Sequence, residues 1–349
     1  MTAIDRPSAG WSAMADAGAP TAVRDQAIDT MRGIAILMVI GIHSLQQPLD
    51  VPWAVAVDAA LRPCVPLFLF ASGYLTALSG RVPLAGRLKA ALIPYAIAFV
   101  AAYIYMALHN PAMDHRAVTA LARFGLAYAF VYYYVFVYIG CTVLMWLILV
   151  IASKSPDSKQ RLCTVLVLTI VAGLVAGSYL DPVLARFGFS ESLIEEVRLR
   201  DIPFWFSFMA AGALVRLAGR PILPDMRGLL PGTTLVAYAI YATVRIYGVG
   251  DAAAYDSVAF FAYSALLCCW LLVVQPRSPM LAAIGTGSYF IYLWHFFIVM
   301  ALRDHAGLRQ VGPVANAAIT SGITIVLSVA ALMMVRQVAP RRLQRWLGA

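Results

Sequence analysis

Charge is scarce in this chain. Only 12% of its 349 residues are charged and 62% are hydrophobic, whereas a soluble globular domain averages about a quarter charged residues. That excludes a soluble domain as the body of the protein. Cysteine is scarce too. Cys64, Cys141, Cys163, Cys268 and Cys269 sit in or beside apolar runs, and no CxxC occurs. This excludes a disulfide framework and offers no metal-ligand spacing, so the cysteines read as small core residues and no metal is expected. Long polar stretches are also missing. The longest polar connection, 181–201, is too short to fold alone. The first 27 residues carry acids among Ala, Gly and Ser and lack the apolar core of a signal peptide. They read as a disordered cytosolic tail, 1–27.

Apolar sequence is what the chain has in quantity. Ten segments approach the roughly 20 residues that a bilayer requires, at about 28–46, 58–78, 91–108, 130–152, 162–180, 202–218, 229–247, 257–274, 284–302 and 313–335. Alternate connections are basic: Arg81, Arg87 and Lys89 after the second segment, Lys154, Lys159 and Arg161 after the fourth, Arg216, Arg220 and Arg227 around the end of the sixth, Arg277 after the eighth, and Arg336, Arg341, Arg342 and Arg345 after the last. The other connections hold most of the acids, among them Asp50, Asp58, Asp114, Asp181, Glu191, Asp201, Asp256 and Asp304. By the positive-inside rule the basic connections are cytoplasmic. An even number of spans then puts both termini in the cytosol. The net charge of +9 is therefore a topology signal, and no nucleic-acid partner is expected. The reading is an all-α, multi-pass membrane protein of about ten transmembrane helices, with a transmembrane domain at 28–335, a basic cytosolic tail at 336–349 and no soluble domain.

Ionisable residues inside such segments are expensive, and they usually face a protein interior or a wet cavity. The stretch 28–45, IDTMRGIAILMVIGIHSL, contains three of them: Asp29, Arg32 and His43. Eleven residues at 3.6 per turn bring His43 back to nearly the face of Arg32, roughly 16 Å further along the axis. Asp29 lies one turn before Arg32 and can pair with it. His43 is then either a general base or acyl-carrying nucleophile in a cavity, or a buried histidine bonded to a neighbouring helix. Arg32 on the same face favours chemistry, and an imidazole with an ordinary pKa near 6.5 suits proton removal from an alcohol. Arg32 itself reads as a structural partner of Asp29, or as a two-point holder of phosphate that also orients His43.

Three further passages stand out. PCVPLFLFASGYL, 63–75, puts Ser72 and Gly73 in the middle of a span; close helix packing is the expected use of Gly73, and Ser72 stays open. RLKAALIPY, 87–95, is a cytoplasmic anchor that could also attract an anionic cofactor through Arg87 and Lys89. SYFIYLWH, 288–295, places Tyr292 and His295 three residues apart on one helical face. The run VYYYVFVY, 131–138, is an interfacial aromatic belt or a sugar-stacking wall, the belt being favoured, and ESLIEEVRLRD, 191–201, reads as a solvated amphipathic helix ahead of a grip on a polar acceptor.

In this order and spacing these passages resemble the membrane acyltransferase-3 family, whose bacterial members acylate sugars of surface glycans. IDTMRGIAILMVIGIH resembles its opening Arg-to-His motif, VPLFLFASGYL its second-helix pattern, SYFIYLWH its late Tyr-Leu-x-His, and RLKAALIPY its basic entry to the third helix. The resemblance implies that Arg32 and His43 are the essential pair, with Asp29, Ser72, Tyr292 and His295 in support. It also implies a cytosolic acetyl-CoA donor held near Arg87, Lys89 and Arg32, and a carbohydrate or lipid-linked glycan acceptor. The location it implies is the inner or plasma membrane. Two departures stand against it. The arginine that the family places three residues before the third-helix proline is Ala91 here, and the middle aromatic region lacks the family's usual carboxylate. The second departure resembles the fucose-acetylase-like branch. The competing class is a secondary transporter using Asp29, Arg32 and His43 as a substrate or proton site, for which an internal repeat would be expected; none is evident in the sequence.

Overall fold

The computed structural model describes residues 25–46, 48–49, 51–110, 112–152, 158–219 and 226–349. Residues 1–24 of the expected tail, and the topology signals at Asp50, Lys154 and Arg220, lie outside the described residues. Fifteen α-helices and no strand occur among the described residues. They are α1 (Gln26–Ser44), α2 (Pro52–Leu61), α3 (Cys64–Ser79), α4 (Leu84–His109), α5 (Ala117–Gly125), α6 (Tyr133–Ala152), α7 (Ser158–Arg186) and α8 (Glu191–Arg198). After them come α9 (Ile202–Ala218), α10 (Leu230–Ile246), α11 (Val258–Val274), α12 (Pro279–Thr286), α13 (Ser288–His305), α14 (Pro313–Val338) and α15 (Arg341–Leu347).

The ten apolar segments all fall on helical stretches, the second across the junction of α2 and α3 and the ninth across that of α12 and α13. Among the described residues, seven helical stretches are long and apolar enough to cross a bilayer, and eight if the bent pair α12–α13 counts as one span. The ninth segment is divided differently from its apolar run: α12 and α13 meet at Gly287 with an 80° bend. The cause is local and tertiary together. A Cβ at Gly287 would overlap the Leu332 side chain. The end of α12 is also capped from α14, where the Arg336 guanidinium donates to the Ala283 carbonyl (3.2 Å) and the Thr286 hydroxyl (3.1 Å). A cation on those last acceptors satisfies groups a helix end leaves open.

Two helix crossings position the site, and both are made by glycines. α1 packs on α12, where a Cβ on Gly33 would overlap the Leu281 carbonyl and one on Gly285 the Asp29 carbonyl. α3 packs on α9, where a Cβ on Gly73 would overlap the Met209 carbonyl and one on Gly212 the Phe70 carbonyl. Helix backbones meet this closely only where side chains are absent, so Gly73 serves packing. α1 itself lies among α3, α12, α13 and α14, and Met31, Ala35, Ile36 and Ile40 are wholly buried. The basic segment after α14 is also helical: α15 folds back onto α4, and Trp294 Nε1 donates to the Leu347 carbonyl (3.4 Å).

Candidate active site

α1 starts at Asp25, whose carboxylate caps the backbone N–H groups of Ala27 (3.1 Å) and Ile28 (3.4 Å). One turn in, Asp29 and Arg32 form an ion pair at 3.7 Å. The Arg32 guanidinium also donates to the hydroxyl of Ser288 (3.3 Å), which the bend before α13 brings to this end of the bundle. Eleven residues on, His43 ends α1 beside α13, its ring centroid 5.5 Å from those of His295 and Phe296.

Arg32 and His43 open onto different cavities. The first, about 330 Å³, is lined by Arg32, Ser72, Arg87, Ala91, Ser288 and a wall of tyrosines, Tyr134, Tyr138, Tyr289 and Tyr292. Arg87 is steadied there by the Thr76 hydroxyl (2.8 Å). The second, about 460 Å³, is lined by His43, Arg62, Cys64, Tyr133, Glu195, Arg198, Trp205, Tyr255 and Arg303, and again by Tyr134 and Tyr292. The same helices serve both. α1, α3 and α13 each give one end to the first cavity and the other end to the second, and the first turns of α6 serve both.

His295 is wholly buried. Its Nδ1 lies 3.0 Å from the Ile291 carbonyl and 2.9 Å from the Tyr292 carbonyl. Carbonyls only accept, so Nδ1 carries the proton and Nε2 keeps a lone pair. That Nε2 is buried with no partner among the described residues. A buried acceptor without a partner calls for a reason, and the nearest imidazole is that of His43. The Arg303 guanidinium donates to the His43 carbonyl at 3.5 Å.

Charged networks frame the second cavity. Asp58 has no solvent exposure and pairs with both Arg62 and Arg245 at 2.8 Å. The Arg62 guanidinium carbon lies over the Tyr255 ring, 3.7 Å from its centroid. Arg198 pairs with Asp181 and stands 3.7 Å from Asp256. Burial, and the Asp181 charge already facing the same guanidinium, push the Asp256 carboxyl up to about 7.

Of the residues singled out in the sequence, Arg32, Ser72, Arg87 and Tyr292 meet around the first cavity, and His43 and Tyr292 line the second. His295 stands beside His43. Lys89 is exposed and lines neither cavity. Ala91 does line the first, and its carbonyl accepts from the Tyr289 hydroxyl (2.6 Å). Two readings change. The aromatic run 131–138 points inward in large part, with Tyr132 wholly buried and Tyr134 and Tyr138 in the cavity wall, so it is more than a belt. Helix α8 is not simply solvated: Arg198 is tied to α7, and Glu195 and Arg198 face the His43 cavity. Of the arginines of that cavity Arg62 and Arg303 were missed, as was Arg245, which pairs with Asp58 beside it. Arg245 stood in the seventh apolar segment, and Asp58–Arg62 has the i,i+4 spacing of an ion pair at the edge of the second. The rule that singled out Arg32 and His43 applied to both.

No curated protein and no solved structure matches the chain significantly. The family model of the acyltransferase-3 domain matches residues 25–333, which takes in α1 to α13, both cavities and most of α14, so this multi-pass membrane protein belongs to the acyltransferase-3 family.

Proposed function

We propose that the protein is an O-acyltransferase that moves an acetyl group from cytosolic acetyl-CoA to a hydroxyl of a carbohydrate or lipid-linked glycan on the other side of the membrane. The observation that carries this reading is the pair of cavities, one with Arg32 and Arg87, the other with His43, meeting at Tyr134 and Tyr292. Two guanidiniums suit the phosphates of a CoA. The tyrosine-walled interior suits a thin pantetheine arm, and the roughly 16 Å from Arg32 to His43 along α1 is a distance such an arm can span. The basic ends of the helices favour the cytosol for the Arg32 side.

In the transfer, the acceptor oxygen bonds to the thioester carbonyl carbon and the carbon–sulfur bond breaks. His43 takes the hydroxyl proton and the departing thiolate receives it as the CoA thiol. In the variant with an acyl relay, the His43 nitrogen bonds to the acyl carbon as the carbon–sulfur bond breaks, the thiolate taking the imidazole proton, and the acceptor oxygen then displaces the imidazole, which keeps the hydroxyl proton. His295, with its proton fixed on Nδ1, offers Nε2 to orient the His43 ring in either case. Arg62, Arg198, Arg303 and the rings of Tyr133 and Tyr255 supply polar contacts and flat faces for a sugar.

The test is CoA release and label transfer from labelled acetyl-CoA by purified protein, beside His43→Ala. Loss of the base lowers kcat by about 10²–10⁴-fold with the donor KM nearly unchanged, and label retained on protein identifies the relay. Equal turnover in folded His43→Ala protein would sink the assignment.

A further inference from the structure

If the thioester passes from the Arg32 cavity to His43, one structure stands in its way. Among the described residues the two cavities share only Tyr134 and Tyr292 in their linings. These rings meet edge to face with centroids 5.5 Å apart, a separation at which aromatic rings are in contact. Phe68 continues the barrier, 5.8 Å from Tyr134.

The two rings are held differently. Tyr292 is buried, and its hydroxyl donates to the Val131 carbonyl at 2.7 Å. Next to it the Tyr132 hydroxyl donates to the Leu293 carbonyl at 2.7 Å. These reciprocal bonds pin the chain entering α6 to α13. Tyr134 is only half-buried, and its hydroxyl has no hydrogen bond among the described residues. Tyr134 is thus the less firmly held of the two rings, bounded on the side of the first cavity by Phe68 and Tyr138, 6.0 Å away.

We infer that Tyr134, closing against the fixed ring of Tyr292, forms a slot that selects the donor by the width of its acyl group. The inference rests on the acyl-CoA reading above. An unbranched acyl chain is no wider than the cysteamine that follows it, so one opening of the slot serves both. A branch or ring beside the carbonyl adds at least a methyl group of width and drives Tyr134 further into Phe68. In a packed interior, displacement of that kind is resisted. The slot therefore passes straight acyl groups and excludes branched or aromatic ones.

The experiment follows CoA release by the full-length purified protein from acetyl-CoA, isobutyryl-CoA and benzoyl-CoA. The readout is the ratio of kcat/KM values within each protein, which does not depend on the fraction folded. The wild type favours acetyl over the two wide donors by about 100-fold, within the range a packed pocket can discriminate. Tyr134→Phe keeps that ratio, because the ring and not the hydroxyl fills the slot. Tyr134→Ala narrows it by at least about tenfold, and Tyr134→Leu does the same if the alanine variant does not fold. A wild type that takes benzoyl-CoA as readily as acetyl-CoA overturns the inference. So do Tyr134→Ala and Tyr134→Leu ratios unchanged within about twofold, provided acetyl-CoA turnover depends on His43. If the wild type consumes no acyl-CoA in a His43-dependent way, the proposed function fails and the slot with it.

Discussion

Arg32 sits where two demands meet. Asp29 at 3.7 Å and Ser288 at 3.3 Å hold its guanidinium at the cavity wall, while the side chain keeps 32% of its surface exposed. A guanidinium so placed can offer two parallel donors to a phosphate, and an ammonium cannot. Arg32→Lys preserves the charge and loses the fork. We expect a donor KM raised about tenfold, the loss of one charge-assisted hydrogen bond, with kcat changed less than about threefold. Steady-state kinetics with acetyl-CoA check this, and an unchanged KM would remove Arg32 from donor binding. Arg32 and His43 were legible because their type is costly in a membrane, and Arg87 because it belongs to a basic connection. Tyr134 was not legible. Its direction depends on the chain before α6, where Ala127 and Phe130 both take φ of 49°. Residues other than glycine rarely adopt that backbone, and no run of tyrosines announces it.

Helices in this protein are placed by what their glycines omit. Gly73 and Gly86 make the contrast measurable. A methyl on Gly73 meets the Met209 backbone, whereas one on Gly86 meets nothing within 4 Å. Gly73→Ala should destabilise by about 1–3 kcal/mol or more, as overpacking does. Gly86→Ala, in the first turns of α4, should be neutral or stabilising by up to about 1 kcal/mol. Thermal unfolding in detergent compares them, and a Gly73→Ala protein as stable as the wild type would mean that the α3–α9 contact is looser than described. A second element-scale test concerns pH. Asp256 faces Arg198 of α8 and Asp181 of α7, with Asp201 adding like charge from the start of α9. Its folded pKa, about 7, lies above the unfolded value of about 3.9. The folded state therefore holds the extra proton, and its stabilising share is complete below pH 4 and lost as pH rises through 7. Asp256→Asn should flatten the fall in Tm between pH 5 and 8. Parallel Tm curves for the two proteins would contradict it. Element existence was readable from apolar length alone. The bend at Gly287 was not, because the run stays apolar across it and the Arg336 cap comes from 50 residues further along the chain.

At the scale of the whole molecule the two ends differ in kind. Arg32, Arg87 and Arg336 gather at one end, around the first cavity and the cap of α12. Asp58, Asp181, Asp256 and Glu195 gather at the other, with the arginines that pair with them and His43. The alternation of basic and acidic connections seen in the sequence is thus also an ordering in space, and it gives the proposed reaction a direction. In the proposed reaction an anionic donor, which cannot cross a bilayer, arrives at the end that gathers Arg32 and Arg87, and the acceptor meets His43 from the opposite side. Vesicles of known orientation turn this into an experiment. With membranes inside out, so that the Arg87 end faces the medium, acetyl-CoA added outside should be consumed. With right-side-out vesicles the same addition should give at most about a tenth of that rate, and permeabilisation should restore it, since a multiply charged CoA carries a prohibitive cost of entry into hydrocarbon. Equal rates from both sealed orientations would mean that donor and acceptor share one face, and the path past Tyr134 and Tyr292 would then lose its purpose.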